Sequence, residues 1–174
     1  MSAARYSLEA PMLCVRKTNP AVRLCNSHFT PAAYDAAGTL RAAQRSRAVE
    51  ILRSFGDERV VFGGDLNLLP PSGSFTPPAT TLGGRHATLN AVYDVLRECD
   101  QADGLALTGA PRAGESTTFW GDGDARTWGK LDYLFATPYA ADPAATFASC
   151  DALEGVAAYR RYSDHLPVVG VLRL

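Results

Sequence analysis

Apolar and polar residues alternate near the start of the chain, a pattern typical of strands with one covered face. Residues 12–17 (MLCVRK) and 22–29 (VRLCNSHF) predict two strands joined by the turn TNPA. A hairpin centred on this turn places Cys14 directly opposite Cys25, at a non-hydrogen-bonded position where opposed Cβ atoms come closest. The pattern therefore predicts a disulfide between them, and the alternative is two buried free cysteines on neighbouring strands.

A helical pattern follows over residues 39–56, and Gly56 supplies a C-terminal stop. Its apolar residues share one helix face: Leu40, Ala48, Ile51, Leu52 and Phe55. Three arginines fall elsewhere on the helix: Arg41, Arg45 and Arg53. The helix leads to an apolar run at 60–62, which predicts a strand covered on both sides.

Loops and short apolar segments make up the rest of the chain. Residues 68–86 are rich in Pro, Gly, Ser and Thr and predict a long loop, which in a compact domain is usually functional or disordered. The remaining predicted elements are a helix over 87–99 and strands over 116–120, 129–137, 144–150 and 166–174. A chain of 174 residues with 47% hydrophobic and 20% charged residues suits one domain, and this mixture of elements predicts the α/β class.

Polar side chains stand at the ends of these predicted strands. They are His28, Asp65 with Asn67, Asp132, and Asp164 with His165. Asp65 and Asn67 are two residues apart and so project to the same side of a sheet. Asp132 lies inside an apolar strand, where a buried carboxylate needs a partner because an unpaired one would be costly.

Taken singly, these residues also fit structural roles, with His28 as a satisfied strand-end histidine and Asp65 as a cap of the following loop. Taken together, they predict chemistry. A histidine whose second nitrogen is held by a buried aspartate has a fixed tautomer and raised basicity, which suits proton transfer. The residues thus indicate a hydrolytic site with a base, its orienting acid, a divalent cation, and amide or imidazole donors for an oxyanion.

Four sequence segments occur in the order SHF, GGDLN, KLDY and SDHLPVVG. Together they resemble the motifs of the endonuclease/exonuclease/phosphatase superfamily, and the resemblance spans residues 12–174. It implies a DNase I-like four-layered α/β sandwich, in which two packed mixed β-sheets are flanked by helices. On this basis residues 1–174 form a single domain of this type, equivalent to its C-terminal two-thirds and therefore N-terminally truncated.

The resemblance implies a catalytic role for each site residue. His165 would activate the attacking water, and Asp132 would orient and support its imidazole. Asp164 would help to bind the metal, which is expected to be Mg²⁺, or alternatively Mn²⁺ or Ca²⁺.

Three further residues would act on the nucleophile and the phosphate. Asp65 would align the attacking water, while Asn67 and His28 would hydrogen-bond the phosphoryl oxygens as charge builds. The expected activity is divalent-metal-dependent phosphoester hydrolysis, as a phosphodiesterase, nuclease or phosphatase. The expected substrates are nucleic acids or phosphorylated small molecules or lipids.

Members of the superfamily carry an Asn and a Glu, both serving the metal, on strands that precede the one ending in His28. The segment before residue 12 does not supply them, because Glu9 lies in a short stretch before Pro11. We therefore expect a fragment of a longer enzyme, whose exposed strand edges would favour self-association. The alternatives are a shortened, catalytically impaired relative that acts as a binding or scaffold module, and an α/β domain without phosphate chemistry.

Net charge, apolar runs and cysteines limit the partners and the compartment. A net charge of −1 gives no global basic field, so a polyanion would need a local patch or a bound cation. No apolar run approaches the ~20 residues of a membrane span, and the first residues lack the pattern of a signal peptide. Among the four cysteines, a second disulfide between Cys99 and Cys150 follows by elimination. If both bridges form, the protein is expected to be secreted or extracellular, and otherwise it is expected in the cytoplasm.

Overall fold

The structure is a computed structural model that describes residues 12–68, 90–99, 119–120, 128–129, 131–140, 146–152, 165 and 168–173. The strands and helices within them, in chain order, are β1 (Leu13–Thr18), β2 (Ala21–Asn26), α1 (Thr39–Ser54), β3 (Val60–Asp65), α2 (Asn90–Tyr93), β4 (Arg97–Glu98), β5 (Phe119–Trp120), β6 (Trp128–Gly129), β7 (Asp132–Ala136), β8 (Phe147–Ala152) and β9 (Val168–Leu172). A short 3₁₀ turn, Ala32–Tyr34, precedes α1. Within this part of the chain, none of the helices has the length and apolar character that a membrane crossing requires.

A five-stranded mixed sheet forms the centre of the fold, with the strand order β1-β2-β3-β7-β4. β2 and β3 run parallel, and the other neighbouring strands are antiparallel. Two two-stranded sheets, β5-β6 and β8-β9, complete the described strands. β9 packs closely on β7, since a Cβ added at Gly170 would lie 2.6 Å from Leu134 Cδ2. A mixed sheet with a second sheet against it confirms the predicted α/β class.

The hydrophobic core lies between the five-stranded sheet and α1. Phe62 of β3 and Phe135 of β7 are opposite one another and fully buried, with ring centroids 6.2 Å apart. The helix contributes to the same buried cluster through Ala48, Val49 and Leu52. Because strand side chains alternate, packing this face against the helix sends Asp65 and Asp132 to the other face of the sheet.

The N-terminal hairpin has the predicted register. β1 and β2 pair with Cys14 opposite Cys25, and a disulfide joins the two residues. The turn between the strands is two residues long rather than four, because the pairing continues further toward the tip than predicted. Cys99 is also disulfide-bonded, whereas the side chain of its predicted partner Cys150 lies outside the described residues.

Among the described strands, β1 lies at the edge of the central sheet, and its Leu13 and Val15 side chains are exposed. Apolar residues on an exposed edge are the feature through which strands from two molecules pair. Self-association of this chain stays a prediction.

Helix α1 ends as predicted, and its buried face overlaps the predicted one, since Ala48 and Leu52 are buried while Leu40, Ile51 and Phe55 are partly buried. Phe55 caps its C-terminus, and Gly56 provides the stop with a φ of 59°. The buried residues of the helix are Arg41, Gln44, Ala48, Val49 and Leu52. The prediction that Arg41 lies outside the covered face was wrong, because its guanidinium group finds hydrogen-bond acceptors in the interior.

The second predicted helix, 87–99, was wrong beyond its first residues. Within its described part, residues 90–99, the chain is helical over Asn90–Tyr93, after which it turns and β4 pairs with β7. Val92 and Leu96 are nevertheless buried, as their apolar spacing suggested. Pairing with the sheet outweighs the local helical preference here.

The later predicted strands are present with altered limits. The predicted strand 129–137 is divided, since β6 pairs with β5 while β7 pairs with β3. The predicted strands 116–120, 144–150 and 166–174 correspond to β5, β8 and β9. The predicted loop 68–86 lies, beyond Leu68, outside the described residues.

Asp35 caps the first turn of α1 from outside the helix. The N-cap residue Gly38 makes no side-chain hydrogen bond, and the Asp35 carboxylate instead accepts from the backbone N–H groups of Leu40 at 3.2 Å and Arg41 at 2.8 Å. The Arg41 Nε atom lies 3.4 Å from Asp35 Oδ2, and both side chains are buried. Burial acts to raise the pKa of Asp35, but the two N–H groups and the guanidinium group outweigh it and lower the pKa below its usual value.

We expect the substitution Asp35→Ala to lower the free energy of unfolding at neutral pH by about 3–5 kcal/mol, because it leaves the buried Arg41 charge without its partner. Chemical denaturation followed by circular dichroism measures this change. Because folding lowers the pKa of Asp35, its stabilisation is present above about pH 4 and is lost as the pH falls through the folded-state pKa. The difference in the free energy of unfolding between the wild type and Asp35→Ala should therefore become smaller in acid.

The matched control is Glu50→Ala, which breaks an exposed ion pair with Arg47 on the same helix. Exposed pairs of this kind contribute little, so we expect a change of about 0.5 kcal/mol or less. An Asp35→Ala protein as stable as this control would show that the buried pair does not hold the start of the helix.

Candidate active site

Two carboxylates face each other where β3 ends and β7 begins. Asp65 is the last residue of β3 and Asp132 the first of β7, and the antiparallel pairing places them directly opposite. Such partners have Cβ atoms about 5 Å apart on one face of the sheet. Because two like charges this close repel, this end of the sheet favours cationic groups nearby.

His165 contacts one of these carboxylates directly. Its Nδ1 atom lies 2.7 Å from Asp132 Oδ2, and both side chains are largely buried. A carboxylate can only accept, so Nδ1 carries the proton and donates it, and in the neutral form of the ring the lone pair is then on Nε2. The Nε2 atom lies 4.0 Å from Asp65 Oδ2. The arrangement is an imidazole held by one aspartate, with its other nitrogen near a second.

His28 approaches the same Asp65 oxygen from β2. Its Nε2 atom lies 3.3 Å from Asp65 Oδ2, and the imidazole is 65% exposed. The backbone beyond β2 follows β3, with the N–H groups of Ser27 and Phe29 donating to carbonyls of β3 at 3.1 and 3.0 Å. Gly64 permits this approach, since it has a φ of 135° and an added Cβ would lie 2.0 Å from the Ser27 oxygen.

Asn67 follows β3 in the left-handed region, with a φ of 45°. Its backbone N–H donates to Asp65 Oδ1 at 2.9 Å, and its side-chain Nδ2 donates to the Phe29 carbonyl at 3.0 Å. A primary amide has two N–H groups, and this contact uses one of them. Asn67 is therefore fixed against both the Asp65 carboxylate and the segment that carries His28.

The surroundings of Asp65 disfavour the ionised form of its carboxyl group when no cation is bound nearby. Burial raises its pKa, and the charge of Asp132 raises it further. The Asn67 N–H group and the two histidines act in the opposite direction without cancelling the effect. A positive charge bound beside Asp65 would therefore stabilise the ionised form.

A metal ion fits this donor set. Asp65, Asp132 and His165 each offer a ligand atom, and these atoms lie within 4.8 Å of one another. Carboxylate oxygens are the preferred ligands of Mg²⁺, Ca²⁺ and Mn²⁺. The raised pKa of Asp65 and the repulsion from Asp132 agree with a site that binds a divalent cation.

A cavity adjoins these side chains. It has a volume of about 330 Å³, and Asp132 forms part of its wall together with Leu24, Val61, Leu134 and Val168. This volume is within the range of small-molecule sites. A ligand of that size can therefore reach the Asp132 carboxylate.

The structure brings together five of the six predicted site residues, and their catalytic roles stay predictions. They are His28, Asp65, Asn67, Asp132 and His165. The predicted metal ligand Asp164 lies outside the described residues.

Sequence reasoning missed Arg41 as part of this region. Its guanidinium group is buried and donates to the Asn67 carbonyl at 3.1 Å and to the Asp35 carbonyl at 3.0 Å. The sequence does contain a pattern that could have revealed its burial. Arg41 precedes Gln44 by three residues and Ala48 by seven, which places all three on one helix face.

Solved structures share this fold. The chain is similar to D. rerio TDP2 complexed with single strand DNA product, at 14% identity and a TM-score of 0.55, over 94% of this chain and 60% of that chain. It is similar to TDP2 from C. elegans at 16% identity and a TM-score of 0.52, over 90% of this chain and 44% of that chain. It is also similar to an endonuclease/exonuclease/phosphatase from Beutenbergia cavernae at 21% identity and a TM-score of 0.56, over 94% of this chain and 38% of that chain.

These likenesses show the fold, and the chain spans less than two thirds of the length of each of these structures. They confirm the predicted DNase I-like α/β architecture. No curated protein matches the sequence. The family model described as Endonuclease/Exonuclease/phosphatase family matches residues 5–165, which confirms the resemblance seen in the motifs. With a match over nearly its whole length, the chain belongs to the endonuclease/exonuclease/phosphatase family.

Proposed function

We propose that this chain carries the hydrolytic site of a divalent-metal-dependent phosphoester hydrolase, with His165 as the base that activates water. The observation that carries the proposal is the 2.7 Å contact between His165 Nδ1 and Asp132 Oδ2 beside the Asp65 carboxylate. Family membership supports phosphoester chemistry in general, and the local geometry supports this choice of base.

The water is proposed to lie between His165 and Asp65. The 4.0 Å separation of His165 Nε2 and Asp65 Oδ2 is too long for a direct hydrogen bond and short enough for one water to contact both atoms. In the reaction, His165 Nε2 takes a proton from this water as its oxygen attacks phosphorus and the ester oxygen leaves. Asp132 stabilises the imidazolium that forms, because its carboxylate already accepts from Nδ1.

His28 and Asn67 are proposed to contact the phosphoryl oxygens. The His28 imidazole is exposed next to Asp65, and the Asn67 amide keeps a second N–H group beyond the one bonded to Phe29. Donors held in place by the backbone can stabilise charge as it develops without having to reorient during the reaction. The hydrogen bonds of Asn67, and those of the backbone on either side of His28, support this role.

The proposed cation is Mg²⁺, or alternatively Mn²⁺ or Ca²⁺, held by the Asp65 and Asp132 carboxylates, with Asp164 as a further ligand. When bound, it neutralises charge on the phosphoryl group and the carboxylates. The two facing carboxylates and the raised pKa of Asp65 support this assignment.

Nucleic acid is the substrate class proposed for the first test. D. rerio TDP2, which shares the fold over 94% of this chain, is described in complex with a single strand DNA product. Phosphorylated small molecules and lipids are the other substrates to test, because the likeness in fold does not distinguish among phosphoesters.

We expect the wild-type protein to cleave an aryl phosphodiester or plasmid DNA in the presence of Mg²⁺ and to lose this activity with EDTA. The substitution His165→Ala should lower kcat by about 100- to 10,000-fold, because it removes the general base. Glu50→Ala, an exposed change on α1, serves as the control and should retain the wild-type rate.

Activity that survives in His165→Ala would remove the assigned base. A wild-type protein that binds DNA without cleaving it would support the alternative of a binding or scaffold module.

We expect Asp65→Asn to raise the Tm of the metal-free protein at neutral pH while abolishing hydrolysis. A raised pKa means that the folded state holds the proton more tightly than the unfolded state does, so ionisation of Asp65 costs stability as the pH rises. The amide oxygen of the variant can still accept from the Asn67 N–H group. Thermal unfolding with and without Mg²⁺ measures the change in Tm, and the cleavage assay measures the loss of hydrolysis. Mg²⁺ should stabilise the wild type more than the variant.

The control for this experiment is Asp94→Asn, which neutralises an exposed carboxylate after α2 and should leave Tm unchanged. A lower Tm for Asp65→Asn than for the wild type in metal-free buffer would show that the carboxylate is held by its neighbours alone and requires no cation.

A further inference from the structure

We infer that Arg41 on α1 is a positioning residue for the proposed reaction, because it fixes the backbone of Asn67 and through it the carboxylate of Asp65. The inference rests on the proposed hydrolytic function. It adds a buried residue of the helix to a site otherwise built from strand ends and the segments that follow them.

Arg41 is an interior side chain with defined partners. It is 2% exposed, its Nη1 donates to the Asn67 carbonyl at 3.1 Å, and its Nη2 donates to the Asp35 carbonyl at 3.0 Å. The planar guanidinium group holds these two donors in a fixed relation, which a lysine ammonium cannot reproduce. Arg41 thus joins the segment before α1 to the segment after β3.

The backbone of Asn67 needs such support. Its φ of 45° is in the left-handed region, which disfavours residues with a Cβ although asparagine tolerates it better than most. The Arg41 contact holds the carbonyl oxygen of this residue, while the contacts to Asp65 and Phe29 hold its N–H and its side chain. Together they keep Asn67 in a conformation that it would otherwise leave.

The effect passes from Asn67 to Asp65 through one hydrogen bond. The Asn67 N–H group occupies Asp65 Oδ1, which directs the other oxygen, Oδ2, toward His28 at 3.3 Å and His165 at 4.0 Å. Without Arg41 the loop would relax, and the Asp65 carboxylate would lose the contact that sets its rotation. The proposed water would then be held less often in line for attack.

This role predicts an effect on turnover rather than on substrate binding. Arg41 is buried and does not reach the surface where a substrate would lie, so its loss leaves the charges facing the substrate in place. Misplacing a reacting group by a small distance is known to lower rates strongly without removing a contact to substrate.

The test compares Arg41→Lys with Thr137→Val. Lysine keeps the positive charge beside Asp35 but cannot hold both carbonyls. Thr137 accepts a hydrogen bond from the Val60 N–H group at 2.8 Å, at the end of β3 remote from Asp65, so its loss destabilises the sheet without touching the site. Both variants are assayed at a temperature where circular dichroism shows them folded, and Arg41→Gln replaces Arg41→Lys if the latter does not fold.

We expect Arg41→Lys to lower kcat by about tenfold or more with KM within about twofold, whereas Thr137→Val keeps the wild-type kcat. A wild-type kcat in the folded Arg41 variant, or an equal loss of kcat in Thr137→Val, would overturn the inference.

Hydrogen exchange of the Asn67 amide separates this inference from the proposed function, because it is measured without substrate. It should be about tenfold faster in the Arg41 variant than in the wild type and unchanged in Thr137→Val. Unchanged exchange in the Arg41 variant would overturn the inference even if the enzyme is active. A wild-type protein without any hydrolysis would overturn the proposed function and the catalytic part of the inference, while faster exchange would still show that Arg41 holds the loop.

Discussion

The antiparallel pairing of β3 with β7 places Asp65 opposite Asp132 on one face of the central sheet, and the arrangement of the site depends on this constraint. Phe62 and Phe135, three residues away on the same strands, are buried against α1 and fix which face each strand turns to the helix. The two carboxylates must then share the opposite face. A shift of register by one residue would turn them into the core.

Repulsion between these carboxylates gives the site its chemical character. His165 relieves it on one side by donating to Asp132, and His28 approaches Asp65 on the other. The pKa of Asp65 nevertheless stays above its usual value, and a bound divalent cation would lower it. Two facing carboxylates of this kind reduce stability, so the fold must hold them through other contacts. Here the contacts of Asn67 and the buried Arg41 do so.

Much of the fold and site could be predicted because local rules determined it. The turn after β1 set the hairpin register that places Cys14 opposite Cys25. Strand alternation does not account for Asn67, because β3 ends at Asp65 and Asn67 has a φ of 45°. The carboxylate of Asp132 inside an apolar strand required a partner, and His165 is that partner.

The remainder depended on contacts between distant segments. Arg41 is buried because Asp35 and the Asn67 carbonyl, from segments on either side of it, supply acceptors that helical periodicity does not reveal. Residues beyond Tyr93 leave the helix because β7 offers them a strand to pair with, although their apolar spacing fits a helix equally well. The role of Asp164 stays a prediction.

The tautomer of His165 tests most directly whether Asp132 holds this imidazole with Nε2 available to accept a proton. Long-range ¹H–¹⁵N correlation NMR on the metal-free protein determines it. We expect a neutral ring protonated on Nδ1, with a strongly downfield proton resonance that disappears in Asp132→Asn. A ring protonated on Nε2, or an Nδ1 proton resonance that Asp132→Asn leaves in place, would contradict this arrangement. His165 would then not be held by Asp132 with the Nε2 lone pair available to a water molecule.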